Sequence, residues 1–143
     1  MKTFYLFKIN NMFKTINKSN SNSLYRIINK IYNAKNDNYS YYSNLYKRMH
    51  NLFNIELINN CLTQKYNDEF YYYKKSDNLH IIDNAYEKSI LFLNKSYIKI
   101  VSNNSYNTFL EELMNLNIDA FVIDFDNKKY FWLKELKRPI ILK

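Results

Sequence analysis

The sequence contains no glycine, a single proline (Pro139) and a single cysteine (Cys61) in 143 residues. Each absence excludes something. Without glycine there is no phosphate-cradling loop, no dinucleotide-binding fingerprint and no strained nucleophile elbow, all of which depend on glycine at fixed positions. Turn positions with positive φ fall to asparagine, which tolerates them next best. A lone cysteine closes no intramolecular disulfide and leaves the redox compartment open. No apolar run approaches the roughly 20 residues that span a bilayer, so no membrane span is expected. Acid is missing locally: Asp37 is the first acidic residue, after Lys2, Lys8, Lys14, Lys18, Arg26, Lys30 and Lys35.

What is present is basic and aromatic. The net charge is +8, with 15 tyrosines and 10 phenylalanines. Abundant Lys, Asn, Tyr and Ile is the mark of an A/T-rich genome, so part of this bias is genetic. The charge nonetheless favours a polyanionic partner. The length suits one domain, or two very small ones sharing an interface.

The clearest passage runs from Tyr106 to Phe125. Phe109, Leu110, Leu113, Met114 and Leu116 recur at helical spacing after a capping Thr108, and Ala120-Phe121-Val122-Ile123 then reads as a buried strand closed by an Asp126-Asn127 turn. A short helix over Leu133–Arg138 and a strand at Ile140–Leu142 follow, separated by Pro139. Earlier, Leu24, Ile27, Ile28 and Ile31 mark the apolar face of a first core helix that ends near Asn36-Asp37-Asn38. Tyr39–Tyr42 reads as an edge strand, Ser43 as the cap of a second helix bearing Leu45, Met49, Leu52 and Phe53, and Ile55–Leu62 and Glu69–Tyr73 as strands. Leu79–Ile82 pairs with the latter as a hairpin, and Ile90–Leu93 and Tyr97–Val101 are two more strands. Met1–Asn20 carries a loose apolar stripe and is bounded by the linker-like Ser19–Ser23. Met1–Lys18 has the acid-free, amphipathic character of a mitochondrial transit peptide, and is expected to be retained. The expected fold is α/β (α+β): a basic aromatic extension at 1–20, a helix-strand-helix-strands half at 21–89 and a small α/β half at 90–143, packed together.

Few residues promise catalysis. His50 and His80 share no metal-ligand spacing with Cys61 or a carboxylate pair, and Cys61 reads as a small buried hydrophobe. Asp124 and Asp126 fall on one strand face, a pattern that holds magnesium in nucleases, but no third acid stands at a readable spacing. Glu111 and Glu112 suit a solvated helix face. The reading is therefore non-enzymatic, with no cofactor, no metal and no small-molecule substrate. Phosphate contacts, stacking rings and amide groups occur together in two places, the combination that RNA recognition uses. Arg26, Lys30, Tyr32, Asn33 and Lys35 lie on the first helix, and Asn127, Lys128, Lys129, Lys137 and Arg138 near the carboxyl end. Arg48 adds a charge on the second helix.

The order of elements resembles small-subunit ribosomal protein eight. Asn29-Lys30-Ile31-Tyr32-Asn33-Ala34 stands where that family ends its first helix in Thr-Arg-Ile-Arg-Asn-Ala, and Ser43-Asn44-Leu45 opens the second helix like its Ser-Lys-Leu. Leu113–Ile118 is similar to its Asn-Gly-Leu-Gly-Ile passage with the glycines lost. The family's Ser-Thr-Ser-Lys-Gly loop is replaced by Asp124-Phe125-Asp126-Asn127-Lys128, and its terminal Gly-Gly-Glu is absent. The resemblance implies a structural constituent of the ribosome's small subunit, binding ribosomal RNA beside neighbouring ribosomal proteins. With this composition it implies an organelle-encoded, mitochondrial version. The alternatives are a soluble accessory subunit of a respiratory-chain assembly and a metal-dependent nuclease.

Overall fold

In the computed structural model the described residues are 1–16 and 20–139. The strand expected at Ile140–Leu142 lies outside the described residues. Residues Lys2–Phe7 form strand β1, in which Phe4 and Leu6 face one side of the sheet and Tyr5 and Phe7 the other. Four helices follow: α1 (Asn11–Ile16), α2 (Ser21–Tyr32), α3 (Tyr39–Met49) and α4 (Ile55–Tyr66). Strands β2 (Tyr72–Ser76), β3 (Leu79–Asp83), β4 (Lys88–Leu93) and β5 (Ile98–Ser102) then form a meander, succeeded by α5 (Thr108–Asn115), β6 (Phe121–Asp124), β7 (Lys129–Trp132) and a 3-10 helix at Leu133–Glu135. The fold is α+β, as expected.

All of these strands belong to one antiparallel sheet, in the order β2-β3-β4-β5-β1-β6-β7. β1 is therefore not part of an extension. It joins the meander to the β6–β7 hairpin, with Tyr5 opposite Lys99 on one side and Ile123 on the other. The segments 1–20, 21–89 and 90–143 each contribute strands to this sheet.

The first face of the sheet is packed across most of its width. Phe4, Leu6, Leu91, Leu93, Ile98, Ile100 and Val122 meet Ile58, Leu62 and Tyr66 of α4 and Phe109, Leu110 and Leu113 of α5 in one core. Each fully buried Leu or Ile there contributes roughly 1.5–3 kcal/mol of transfer free energy. On the second face a smaller core gathers Phe7, Phe121 and Ile123 beneath Leu24 and Ile28 of α2 and Met49 of α3.

Further expectations fail for definable reasons. Ile55–Leu62 is the start of α4 rather than a strand. The short alternation of Ile55 and Leu57 imitates a strand, but Ile58, Leu62 and Tyr66 are the buried residues and repeat every four positions. Tyr39–Tyr42, rich in strand-favouring rings, is the first turn of α3, so Ser43 lies inside the helix and is not its cap. Toward the carboxyl end, the expected helix at Leu133–Arg138 shrinks to the 3-10 helix Leu133–Glu135, and the aromatic run before it is strand β7.

Asparagine takes over the roles glycine cannot fill. The side chains of Asn20, Asn54 and Asn107 accept hydrogen bonds from Ser23 N, Leu57 N and Leu110 N, capping α2, α4 and α5, so the α5 cap is Asn107 rather than Thr108. Asn117 closes α5 at φ 58°, with its N–H donating to Met114 O and that of Ile118 to Leu113 O. This is the Schellman closure that usually employs glycine. The other left-handed position, φ 54°, falls to Lys128 in the β6–β7 turn, an exception to the asparagine expectation.

Candidate functional site

A cavity opens between α1 and the end of β7. Asn10, just before α1, fixes this short helix to the rest of the chain: its side-chain oxygen accepts from Phe13 N, its side-chain amide donates to Arg48 O, and its backbone N–H donates to Met49 O. On the other flank Lys14 forms an ion pair with Asp119, and its Nζ lies 5.7 Å from the centre of the Trp132 ring. Trp132 is held in turn by Phe121, ring centres 4.9 Å apart, and by Glu135, whose carboxylate accepts from Trp132 N at 2.9 Å. Between them opens a cleft of about 590 Å³, lined also by Asn11, Thr15, Ser21 and Lys134. A second hollow of about 430 Å³ shares Lys14 and Lys134 and reaches Met114 and Ile118.

An aromatic floor, two lysines and a rim of amides and hydroxyls describe a recognition surface. The described residues include no group of three His, Cys, Asp or Glu placed to hold a metal ion. The groups that seemed able to support chemistry are engaged elsewhere. Asp124 is buried and accepts from the backbone and side-chain nitrogens of Asn127, shaping the β6–β7 turn, while Asp126 is exposed. Glu112, expected on a solvated face, is buried and accepts from Lys65 Nζ at 2.6 Å and Tyr66 Oη at 2.8 Å, tying α4 to α5. Burial and the hydrogen bond to Glu112 push the Tyr66 phenol up. His80 is buried with its Nδ1 paired to Tyr72 Oη, and burial holds its imidazole below the usual histidine range. His50 stacks on Tyr46, and Cys61 is half-buried.

Of the residues singled out for RNA contact, the structure brings parts of the two groups side by side. Tyr32 stacks on Phe125 with ring centres 4.0 Å apart, which brings the end of α2, with Asn33, beside the turn that carries Asn127, Lys128 and Lys129. Arg26, Lys30 and Lys35 are exposed on α2 or just beyond it. Arg48 is exposed near the end of α3. Lys137 and Arg138 follow the 3-10 helix, and Arg138 points to Glu111 of α5 at 3.9 Å. Lys14, Lys134 and Trp132, which shape the cleft, were missed. Their positions are remote in sequence, and the one available signal was that Trp132 is the chain's single tryptophan.

The fold defines a small α+β protein built on one antiparallel sheet. The family model described as sporulation inhibitor of replication protein SirA matches residues 2–137, and the chain belongs to that family. No curated protein matches it. This bacterial family overturns the ribosomal, RNA-binding and mitochondrial readings, and it lends nothing to the respiratory-chain or nuclease alternatives. The resemblance to ribosomal protein eight depended on an element order in which β1 was an extension and α4 a strand. Among the described residues no helix is long and apolar enough to cross a membrane.

Proposed function

We propose that this chain restrains replication during sporulation as a non-catalytic protein, seating a component of the replication machinery in the cleft between α1 and the 3-10 helix. The observation that carries the reading is the family match across residues 2–137, whose description names an inhibitor of replication. The geometry supports binding as the means. Trp132 offers a partly accessible ring and Lys14 and Lys134 offer charge, the pairing of an aromatic anchor with a polar rim that concentrates binding energy.

The test is controlled synthesis of the chain in growing cells of a spore-forming bacterium, with labelled thymidine incorporation and DNA content per cell as readouts. Both fall under this reading. Trp132→Ala and the exposed Lys134→Glu, each checked for folding by circular dichroism, weaken the effect by about 10-fold or more, the scale of a lost interface anchor. Unchanged DNA synthesis at equal protein level would sink the proposal. Full inhibition by both folded variants would move the site elsewhere.

A further inference from the structure

The second face of the sheet is only half covered. Helices α2 and α3 lie over β1, β6 and β7, whereas Leu79, Ile81, Ile90 and Val101 of the meander belong to neither buried core. Register sets Tyr73, Ile81, Ile90, Val101 and Thr3 side by side in one row across the strands, and Leu79, Phe92, Lys99 and Tyr5 in the next. Tyr73 is 61% exposed, Phe92 38% and Tyr97 36%, a concentration of rings and aliphatic groups unusual for a free surface. At the border with the helices this face sinks into a groove of about 300 Å³ between Tyr5, Phe7, Ile28, Ile31, Tyr46 and Tyr97.

Lys99 stands near the middle of this field, lining a small hollow with Thr3, Tyr32, Phe125 and Asp126. Lys99 Nζ lies 5.3 Å from the Phe92 ring centre and 5.8 Å from that of Tyr5. It belongs to none of the ion pairs formed among the described residues. Asp83 sits at the far corner opposite Lys88. A second copy of the chain is a poor occupant, because each copy carries +8 and pairing these faces would crowd lysines into an apolar contact. Addition of a strand at the β2 edge is opposed by Lys74, Lys75 and the irregularity between Lys74 and Ser76.

We propose that the open face of β2–β5 receives an acidic amphipathic helix of a protein partner, an apolar side chain entering the groove and a carboxylate meeting Lys99. The spacing agrees: Tyr5 and Lys99 are cross-strand neighbours, about 5 Å apart, and side chains three or four residues apart on a helix are separated by about 5–6 Å. This surface is separate from the cleft at Trp132, so the two can be tested apart.

The experiment uses the full chain labelled with ¹⁵N and three designed helical peptides sharing one leucine stripe, with Glu, Gln or Lys four residues from the central leucine. The Glu peptide shifts the amide signals of Ile81, Ile90, Lys99 and Val101 and leaves the Trp132 indole signal in place. It binds about 10-fold more tightly than the Lys peptide, the worth of one good charge pair. Lys99→Glu reverses that order, and Lys99→Gln, which keeps the stem of the side chain, removes the preference. Equal binding of the Glu and Lys peptides, shifts centred on Trp132, a DNA oligonucleotide displacing the Glu peptide from these residues, or dimerisation through them in sedimentation would each overturn the proposal. Loss of replication inhibition would leave it standing, since the peptides report on this face alone.

Discussion

The two faces of one sheet meet different fates. On the first, α4 and α5 exclude water from the middle of the sheet, and residues such as Leu6, Leu91 and Ile100 have no measurable exposure. On the second, α2 and α3 stop at β1, and the rest is left half-bare. Alternate residues of the same strands serve the two faces, and apolar side chains stand on both, Leu91 and Ile100 on one and Ile90 and Val101 on the other. The difference in cover has another source. It comes from where the connections run: α4 and α5 cover the meander on one side, whereas on the other α2 is anchored to the β6–β7 hairpin, Tyr25 stacking on Tyr130 and Tyr32 on Phe125, and α3 packs beside it against Phe7 of β1 through Tyr46. Stability is concentrated on the closed face, and the open face is free to be used.

The sharpest test compares two neighbours on β5. Ile100 is fully buried on the closed face, and Val101 is half-exposed on the open one. Ile100→Ala is expected to cost about 3 kcal/mol in urea unfolding, and Val101→Ala about 1 kcal/mol or less. Equal costs would mean that the open face is structurally committed after all.

A smaller effect distinguishes the faces by pH. His80 is buried on the closed side, and burial lowers its pKa from 6.5 more strongly than nearby Asp77 raises it, with Lys74 adding to the lowering. Between its depressed folded value and 6.5 the unfolded chain binds more protons than the native one. Stability is therefore full above pH 6.5 and falls as the pH drops through that window. Unfolding followed as a function of pH should show this acid limb, and His80→Gln should flatten it. A limb of the same slope in the variant would place its origin in another group.

The smallest effect belongs to the β6–β7 turn, beyond both faces. Lys128 holds φ 54°, a conformation that side chains with a Cβ resist. Lys128→Gly should stabilise the protein by about 0.5 kcal/mol on both faces alike. A loss of stability would show that the lysine side chain contributes to the turn.

Legibility followed burial pattern. Strands β3, β4 and β5 and helix α2 could be read because each hides one side and shows the other, as with Leu24 and Ile28 against Arg26 and Lys30, whereas β2 is Tyr72–Ser76 rather than Glu69–Tyr73, its lysines having the look of a turn. β1 was misread because a strand covered on both faces has no alternation to show: Phe4, Tyr5, Leu6 and Phe7 form one apolar run. β7 was hidden because the basic pair Lys128-Lys129 reads as turn throughout, whereas only Lys128 belongs to the turn and Lys129 already begins the strand. The cleft was less legible still. It joins Lys14, Asp119 and Trp132, whose proximity exists only after β1 and β7 have taken their places in the sheet.

The position of β1 also orders the assembly of the molecule in time. The meander closes through consecutive hairpins and α5 forms locally, so both can appear early. β1 is synthesised before either of its partners and has no ladder to enter until Ile98–Ser102 and Phe121–Asp124 have left the ribosome. For most of its synthesis the chain carries an unpaired aromatic strand, the kind of segment that self-associates or recruits a chaperone. Completion of this sheet is a late event, and the chain's solubility during synthesis depends on how long Phe4 to Phe7 must wait.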